Sequence, residues 1–233
     1  MNALAGGGTF ATLPALVGFG LPANVANATS NVALLPGAAA SAAHFRDELE
    51  PIGGLSVRML AAITFVGGLG GSTLLVITPS RAFDFIIPWL LLFALLVMLF
   101  GKSASDWLHE RVTIGRPTLL TAQSLLAVYG GYFGGGVGLM TTAIYGLLAG
   151  AHPRSLFAVR TLMLATANCA AAIVFVGMGL VEWSTCIPML LGSVLGGSLG
   201  AKLGKRLPLS LVRAWTLLVT AVTTAVFFTR AYS

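Results

Sequence analysis

Residues 83–101 read FDFIIPWLLLFALLVMLFG, nineteen positions with Asp84 as the one charge. About 20 apolar residues in helical form match the hydrocarbon thickness of a bilayer. A second run covers 208–230, and charges gather between such runs instead of within them. Over the whole chain 57% of residues are hydrophobic and 9% charged, with a mean hydropathy of +0.92. Soluble domains carry about 25% charged residues, so lipid and not water is the expected solvent. An outer-membrane barrel would show alternating segments of about ten residues, and the sequence has none.

The net charge of +6 raises nucleic acid as a partner. The basic residues are scattered over short loops without interleaved aromatics, which argues against that and makes them topology signals. Cys169 and Cys186 lie in or beside apolar runs at no metal or redox spacing, so they are expected as small core residues. The opening MNALAGGG has neither the basic nor the apolar region of a signal peptide.

The chain repeats itself. Gly6-Gly7-Gly8 recurs as Gly134-Gly135-Gly136 at an offset of 128, Pro22 as Pro153 at 131, and Gly67-Gly68, Gly71 and Pro79 as Gly196-Gly197, Gly200 and Pro208 at 129. Internal duplication is a common way to build a transporter. The units are residues 1–101 and 118–233, joined by the polar linker 102–117. Each reads as a glycine-broken element followed by three helices, at about 23–45, 57–77 and 83–101 and then at about 155–181, 184–203 and 208–230. The second unit has an apolar helix, 118–133, ahead of its glycines; the first has only MNALA there, so its opening helix is expected to be missing or truncated.

Lysine and arginine placement sets the topology. If each glycine break is a re-entrant hairpin, Arg46, Arg58, Lys102, Arg111, Arg116, Arg154, Lys202, Lys205 and Arg206 share a face, with Arg81 and Arg230 opposite. If each break crosses once, the split is six against five. The expected fold is therefore an all-α integral membrane protein of two inverted-topology repeats. Each is a glycine-broken re-entrant helical hairpin plus three transmembrane helices, and the linker is cytoplasmic.

Three consecutive glycines at membrane depth leave backbone groups that must line a cavity or be buried in protein. The helices that restart after them, TFATLPALVGF and VGLMTTAIYGLL, present free N–H groups and the positive end of a dipole, which suits an anion. Gly6, Gly7, Gly8, Gly134, Gly135 and Gly136 are thus candidate substrate contacts. Gly192, Gly196, Gly200 and Gly204 repeat every four residues and are expected to serve helix packing. No lysine with serine or threonine follows either cluster, which argues against nucleotide binding.

Asn24, Asn27, Thr29, Ser30 and Asn31 interrupt an apolar span. Such groups need partners, either a substrate oxyanion or neighbouring helices. The second unit offers Arg160, Thr161, Thr166 and Asn168. Arg160 lies six residues into a span, where a guanidinium is costly, and it could hold an oxyanion with two donors. Asp84 and Glu182 lie at helix edges and the other carboxylates in loops. A cation or proton relay normally needs a carboxylate within a span; an anion site does not. His44, His109 and His152 have no partners at ligand spacing, and no nucleophile, base and acid can be assembled. No catalytic residue, metal or cofactor is therefore expected. Trp89, Trp107, Trp183 and Trp215 suit interfacial belts or helix packing.

The stretch GGGTFATLPALVGFGLPANVANATSN (6–31) resembles the first-repeat signature of the TauE/SafE, or TSUP, family, with its glycines, proline, Gly-x-Pro and Ala-x-x-Thr-Ser. FAVRTLMLATANCAAAIVFVGMGLVEW (157–183) is similar to the second-repeat counterpart, with Arg160 at the family's basic position and Asn168 at its asparagine. The resemblance spans nearly the whole chain. It implies transport of sulfur-containing anions such as sulfite, sulfoacetate, sulfolactate or thiosulfate across a bacterial inner membrane. Two departures stand out: the opening helix is expected to be missing or truncated, and Pro14 corresponds to Thr142.

The expected site combines the two glycine triplets with Asn27, Thr29, Ser30, Asn31, Arg160, Thr161 and Asn168. An anion channel, a carrier of small carboxylates, an intramembrane enzyme and an assembly subunit are the rivals. The topology predicts that a reporter fused after Ser233 reports the periplasm; a cytoplasmic C-terminus contradicts inversion.

Overall fold

The computed structural model describes residues 7–109, 115–149, 153–204 and 209–232. Among the described residues the secondary structure is helical apart from an isolated bridge between Ile52 and Leu55. The first four helices are α1 (Thr9–Gly18), α2 (Ala23–His44), α3 (Val57–Ile77) and α4 (Ser80–His109). They are followed by α5 (Arg116–Tyr132), α6 (Val137–Ala149), α7 (Pro153–Gly177), α8 (Trp183–Gly204) and α9 (Leu209–Tyr232).

Local chemistry explains the boundaries. Ser56 caps α3 by accepting from the Met59 amide at 3.3 Å. Gly20 and Gly179 have φ values of +90° and +67°, and each ends its helix with the following amide reaching back, Leu21 to Leu16 O and Leu180 to Phe175 O. That left-handed stop suits glycine, and it closes α7 at Gly177 instead of the expected 181. α4 runs on to His109, past the expected 101, and α5 begins at Arg116.

α2 and α7 form the centre. The Phe45 ring, just past α2, meets Phe157 near the start of α7 edge-on at 4.7 Å. At the other end of α2, Thr29 Oγ1 accepts from the Glu182 amide just beyond α7 at 3.0 Å. The two helices therefore run antiparallel. α3 crosses α7 and α8 crosses α2, α5 covers α3, and α4 and α9 pair at the flank.

Among the described residues, four helices are long and apolar enough to cross a membrane: Val57–Ile77, Ser80–Gly101, Ser155–Gly177 and Leu211–Tyr232. In α7 67% of the span is buried by protein, against 33%, 33% and 28% in α3, α4 and α9. Polar Asn24, Asn27, Thr29, Ser30 and Asn31 keep α2 from the apolar set, and the last four are fully buried inside the bundle. Outer helices turn large apolar residues outward, among them Phe93 and Phe100 on α4 and Leu195 and Leu199 on α8. Cys186 is buried, but Cys169 lies on the outer surface of α7 and not in the core.

Glycine brings α3 against α5. A Cβ on Gly67 would stand 2.5 Å from Ala127 Cβ, and one on Gly71 would collide with the Val128 carbonyl. The helices thus touch backbone to backbone. One buried chain of bonds spans four helices at this seam. Tyr145 OH donates to Gln123 Oε1 at 2.7 Å, Gln123 Nε2 to Thr64 Oγ1 at 2.6 Å, and Thr64 to Leu60 O. Thr64 also contacts Met163 Sδ at 3.1 Å.

On α8 the expected packing register is off by one position. Gly192 and Gly196 meet nothing within 4 Å, whereas a Cβ on Gly197 would stand 2.7 Å from Gly37 O. A rotation of about 100° per residue makes neighbouring glycines face different surroundings. Gly71→Ala is expected to cost about 2 kcal/mol by forcing α5 away, lowering the unfolding midpoint in detergent by about 6 °C; Gly192→Ala, with open space around it, should leave that midpoint nearly unchanged.

Candidate functional site

α5 ends at a true break. Gly134 and Gly136 have φ values of +75° and +77°, where side chains are strained. At Gly134 a Cβ would also collide with Asn31 Oδ1. The chain then restarts as α6, with Met140 N donating to Gly136 O at 2.9 Å.

The carbonyls freed by the break find partners. Asn27 Nδ2 donates to Tyr132 O at 3.1 Å, and Asn31 Nδ2 to Phe133 O at 3.4 Å and Asn27 O at 3.0 Å. Tyr129 OH donates to Gly135 O at 2.9 Å. A buried carbonyl without such a donor costs about 1–3 kcal/mol, so the break exists because α2 and Tyr129 serve it. The two amides thus give donors to the backbone of the break and of α2. Their Oδ1 atoms, and Asn168 Oδ1, have no donor among the described residues.

The start of α1 lies against the break at Gly134–Gly136. Gly6 falls outside the described residues; Gly7 and Gly8 lead into α1. Phe10 is fully buried and touches both glycine groups. A Cβ on Gly7 would stand 3.0 Å from Phe10 Cδ2, and one on Gly136 would stand 2.8 Å from Phe10 Cζ. Thr223 Oγ1 of α9 holds Phe10 O at 2.9 Å. Thr12 Oγ1 donates to Gly8 O at 3.1 Å and lies 2.5 Å from Ser30 Oγ. One hydroxyl proton cannot serve both contacts, so Ser30 donates to Thr12.

The other predicted residues lie elsewhere along the same two helices. Thr29 braces the start of α8. Thr161 donates to its own helix, at Ala158 O and Phe157 O, 2.8 and 3.1 Å away. Arg160 is 7% exposed, with its guanidinium carbon 4.0 Å above the Phe157 ring centroid, a favourable cation–π geometry. Eight positions separate it from Asn168, about 12 Å of helix. The structure thus gathers Gly7, Gly8, Asn27, Ser30, Asn31 and Gly134–Gly136 at the breaks, and sets Arg160 and Thr161 nearer the Phe45 end.

Phe10, Thr12 and Tyr129 are contacts the sequence reading missed. Tyr129 carried a signal: a tyrosine in the apolar second half of a helix, just before a glycine break, has a hydroxyl in need of a partner. Phe10 carried none, because its role depends on the second break being its neighbour.

The sequence model of the family described as sulfite exporter TauE/SafE matches residues 1–227. The probable membrane transporter protein YfcA of Escherichia coli (strain K12) is 29% identical over 227 residues, covering 97% of this chain and 83% of that protein. A probable membrane transporter protein of Haemophilus influenzae is 27% identical over 226 residues, covering 97% and 88%. No solved structure matches.

Asn31→Leu strands the carbonyls of Phe133 and Asn27 and is expected to destabilise the protein by about 2–3 kcal/mol. Thermal unfolding of the purified variant beside the parent measures that loss.

Proposed function

The chain belongs to the TauE/SafE family of membrane transporters, and from that premise we propose that it exports small sulfur-containing anions, such as sulfite, organosulfonates or thiosulfate, across a bacterial inner membrane. The observation that carries this reading is Arg160, a guanidinium buried to 7% exposure inside the bundle. A cation held there attracts an oxyanion through a low-dielectric path. Moving a monoanion out of an inside-negative cell releases about 2.3 kcal/mol per 100 mV, so export needs no coupling ion.

Two inverted repeats supply the scaffold in this proposal. Support comes from helices that share positions after the two breaks. α3 crosses α7 as α8 crosses α2, and α4 packs on α6 as α9 packs on α1. α1 leaves its break toward the start of α2, and α6 leaves its break toward the start of α7. Since α2 and α7 are antiparallel, those directions are opposite. The Phe45 end then faces the cytoplasm, and the anion reaches Arg160 first.

From Arg160 and Thr161 the anion moves along α7 toward Asn168 and the breaks. Phe10 stands between the glycine groups and keeps them closed. Parting the breaks would expose the leading N–H groups of α1 and α6, whose dipoles favour an anion. Ser30 and Thr12 lie close enough to add hydroxyls. The bound species would then pass to the far end, beyond Pro22.

Sulfite should raise the unfolding midpoint of the purified protein. Arg160→Ala should abolish that shift and cut sulfite flux in vesicles at least tenfold, and Arg160→Lys should retain part of both. Unchanged affinity in Arg160→Ala removes the guanidinium from the path. Saturable counterflow marks a carrier and its absence a channel, while competition by acetate at equal concentration would favour a carboxylate substrate.

A further inference from the structure

A cavity of about 180 Å³ opens between the start of α4 and the end of α9. Arg81, Asp84, Phe85, Phe227, Arg230 and Ala231 line it, and none of them belongs to the transport path proposed above. Arg81 follows directly on the first residue of the span Ser80–Gly101, and Arg230 lies just short of the last residue of the span Leu211–Tyr232. The cavity therefore sits where two spans reach the lipid headgroups. Among the described residues Arg81, Asp84 and Arg230 form no ion pair with one another. Two guanidiniums and a carboxylate thus share one small cavity with their charges still open to a ligand.

Beside the charges the surface is a wall of rings. Phe85 meets Tyr232 edge-on at 5.6 Å, Tyr232 stacks on Phe228 at 6.0 Å, and Phe228 meets Trp89 at 5.3 Å. Trp89 Nε1 donates to Tyr232 OH at 2.9 Å. The wall is held in place although Phe85, Trp89 and Tyr232 are 41%, 56% and 58% exposed. Rings of this kind suit the boundary between headgroups and acyl chains.

We propose that this cavity binds the headgroup of one phosphatidylethanolamine-type lipid, which carries a phosphate and a primary ammonium on one molecule. Guanidiniums match a phosphate with paired N–H donors, and a basic pocket between membrane helices is a headgroup site. Asp84, three positions after Arg81, shares its face of α4. Helical side chains lean toward the N-terminus, which brings the Asp84 carboxylate up toward the arginines as the acceptor for an ammonium. A choline headgroup carries the phosphate but no N–H to donate, and a glycerol headgroup lacks the cation. The acyl chains lie along the ring wall. A phosphate held by Arg81 and Arg230 together ties α4 to α9, so occupancy stabilises the bundle. The proposal does not depend on which anion the protein transports.

The test unfolds the purified full chain in detergent micelles carrying phosphatidylethanolamine, phosphatidylcholine or phosphatidylglycerol with the same acyl chains. The ethanolamine lipid should raise the midpoint by about 5 °C, at least about twice as far as either of the others. Asp84→Asn should bring that rise down to the choline value, and Arg81→Ala combined with Arg230→Ala should abolish all three rises. Mass measurement of the intact protein gives a second readout: the parent should retain the ethanolamine lipid, and Asp84→Asn, which keeps the size of the side chain, should lose it. Equal rises with ethanolamine and choline lipids, or a preference that survives Asp84→Asn, overturn the proposal. So does a larger rise with the glycerol lipid, which would leave the ammonium without a role. An equal rise with inorganic phosphate in lipid-free detergent also overturns it, by making the cavity a site for free anions. Flux plays no part in these readouts, so their failure leaves the transport reading to the Arg160 variants.

Discussion

The glycine break after α5 is the constraint on which the rest depends. Opening a helix at membrane depth frees carbonyls that lipid cannot satisfy. Asn27, Asn31 and Tyr129 answer that demand with side-chain donors to Tyr132, Phe133 and Gly135. Because Asn27 and Asn31 sit on α2, the break ties the α5–α6 hairpin to the centre of the bundle. The polar stretch of α2 is therefore where it is because the unwound turn is opposite it.

Packing follows from the same economy of space. Gly67, Gly71 and Gly131 let α3 and α5 touch at their backbones, and Gly37 and Gly197 do so between α2 and α8. Close approach brings both glycine groups into contact with Phe10. A bundle of larger residues would hold these helices farther apart, and one phenyl ring could not touch both breaks. The antiparallel centre of α2 and α7 puts Arg160 toward one end and the breaks deeper in. On the proposed path an anion would meet the charged Arg160 first and the glycine break after it.

Much of this was legible beforehand, and for physical reasons. Helix limits fell within a few residues of expectation where Pro22, Ser56 and Pro117 start helices and Gly20 or Gly179 stops them. The glycine triplet at 134–136 pointed to a break because three consecutive residues without side chains, matched in both halves, exceed what helix packing requires. Direction was not legible: Asn27 and Asn31 were candidates to hold an anion, and their amides face carbonyls of the break. Which way an amide points depends on a neighbour more than a hundred residues away in the chain. Likewise the period of four on α8 could not tell Gly196, facing open space, from Gly197, facing α2.

Transport in this account requires the two breaks to separate around Phe10. The direct measurement places cysteines at Phe10 and Gly135 in a chain lacking Cys169 and Cys186, then bridges them with a short bis-methanethiosulfonate reagent, whose disulfides a reductant cleaves. Sulfite flux should fall to background while the bridge is intact and return when it is cleaved. Full flux through the bridged protein would contradict the account, because the anion would then be crossing without the breaks ever parting.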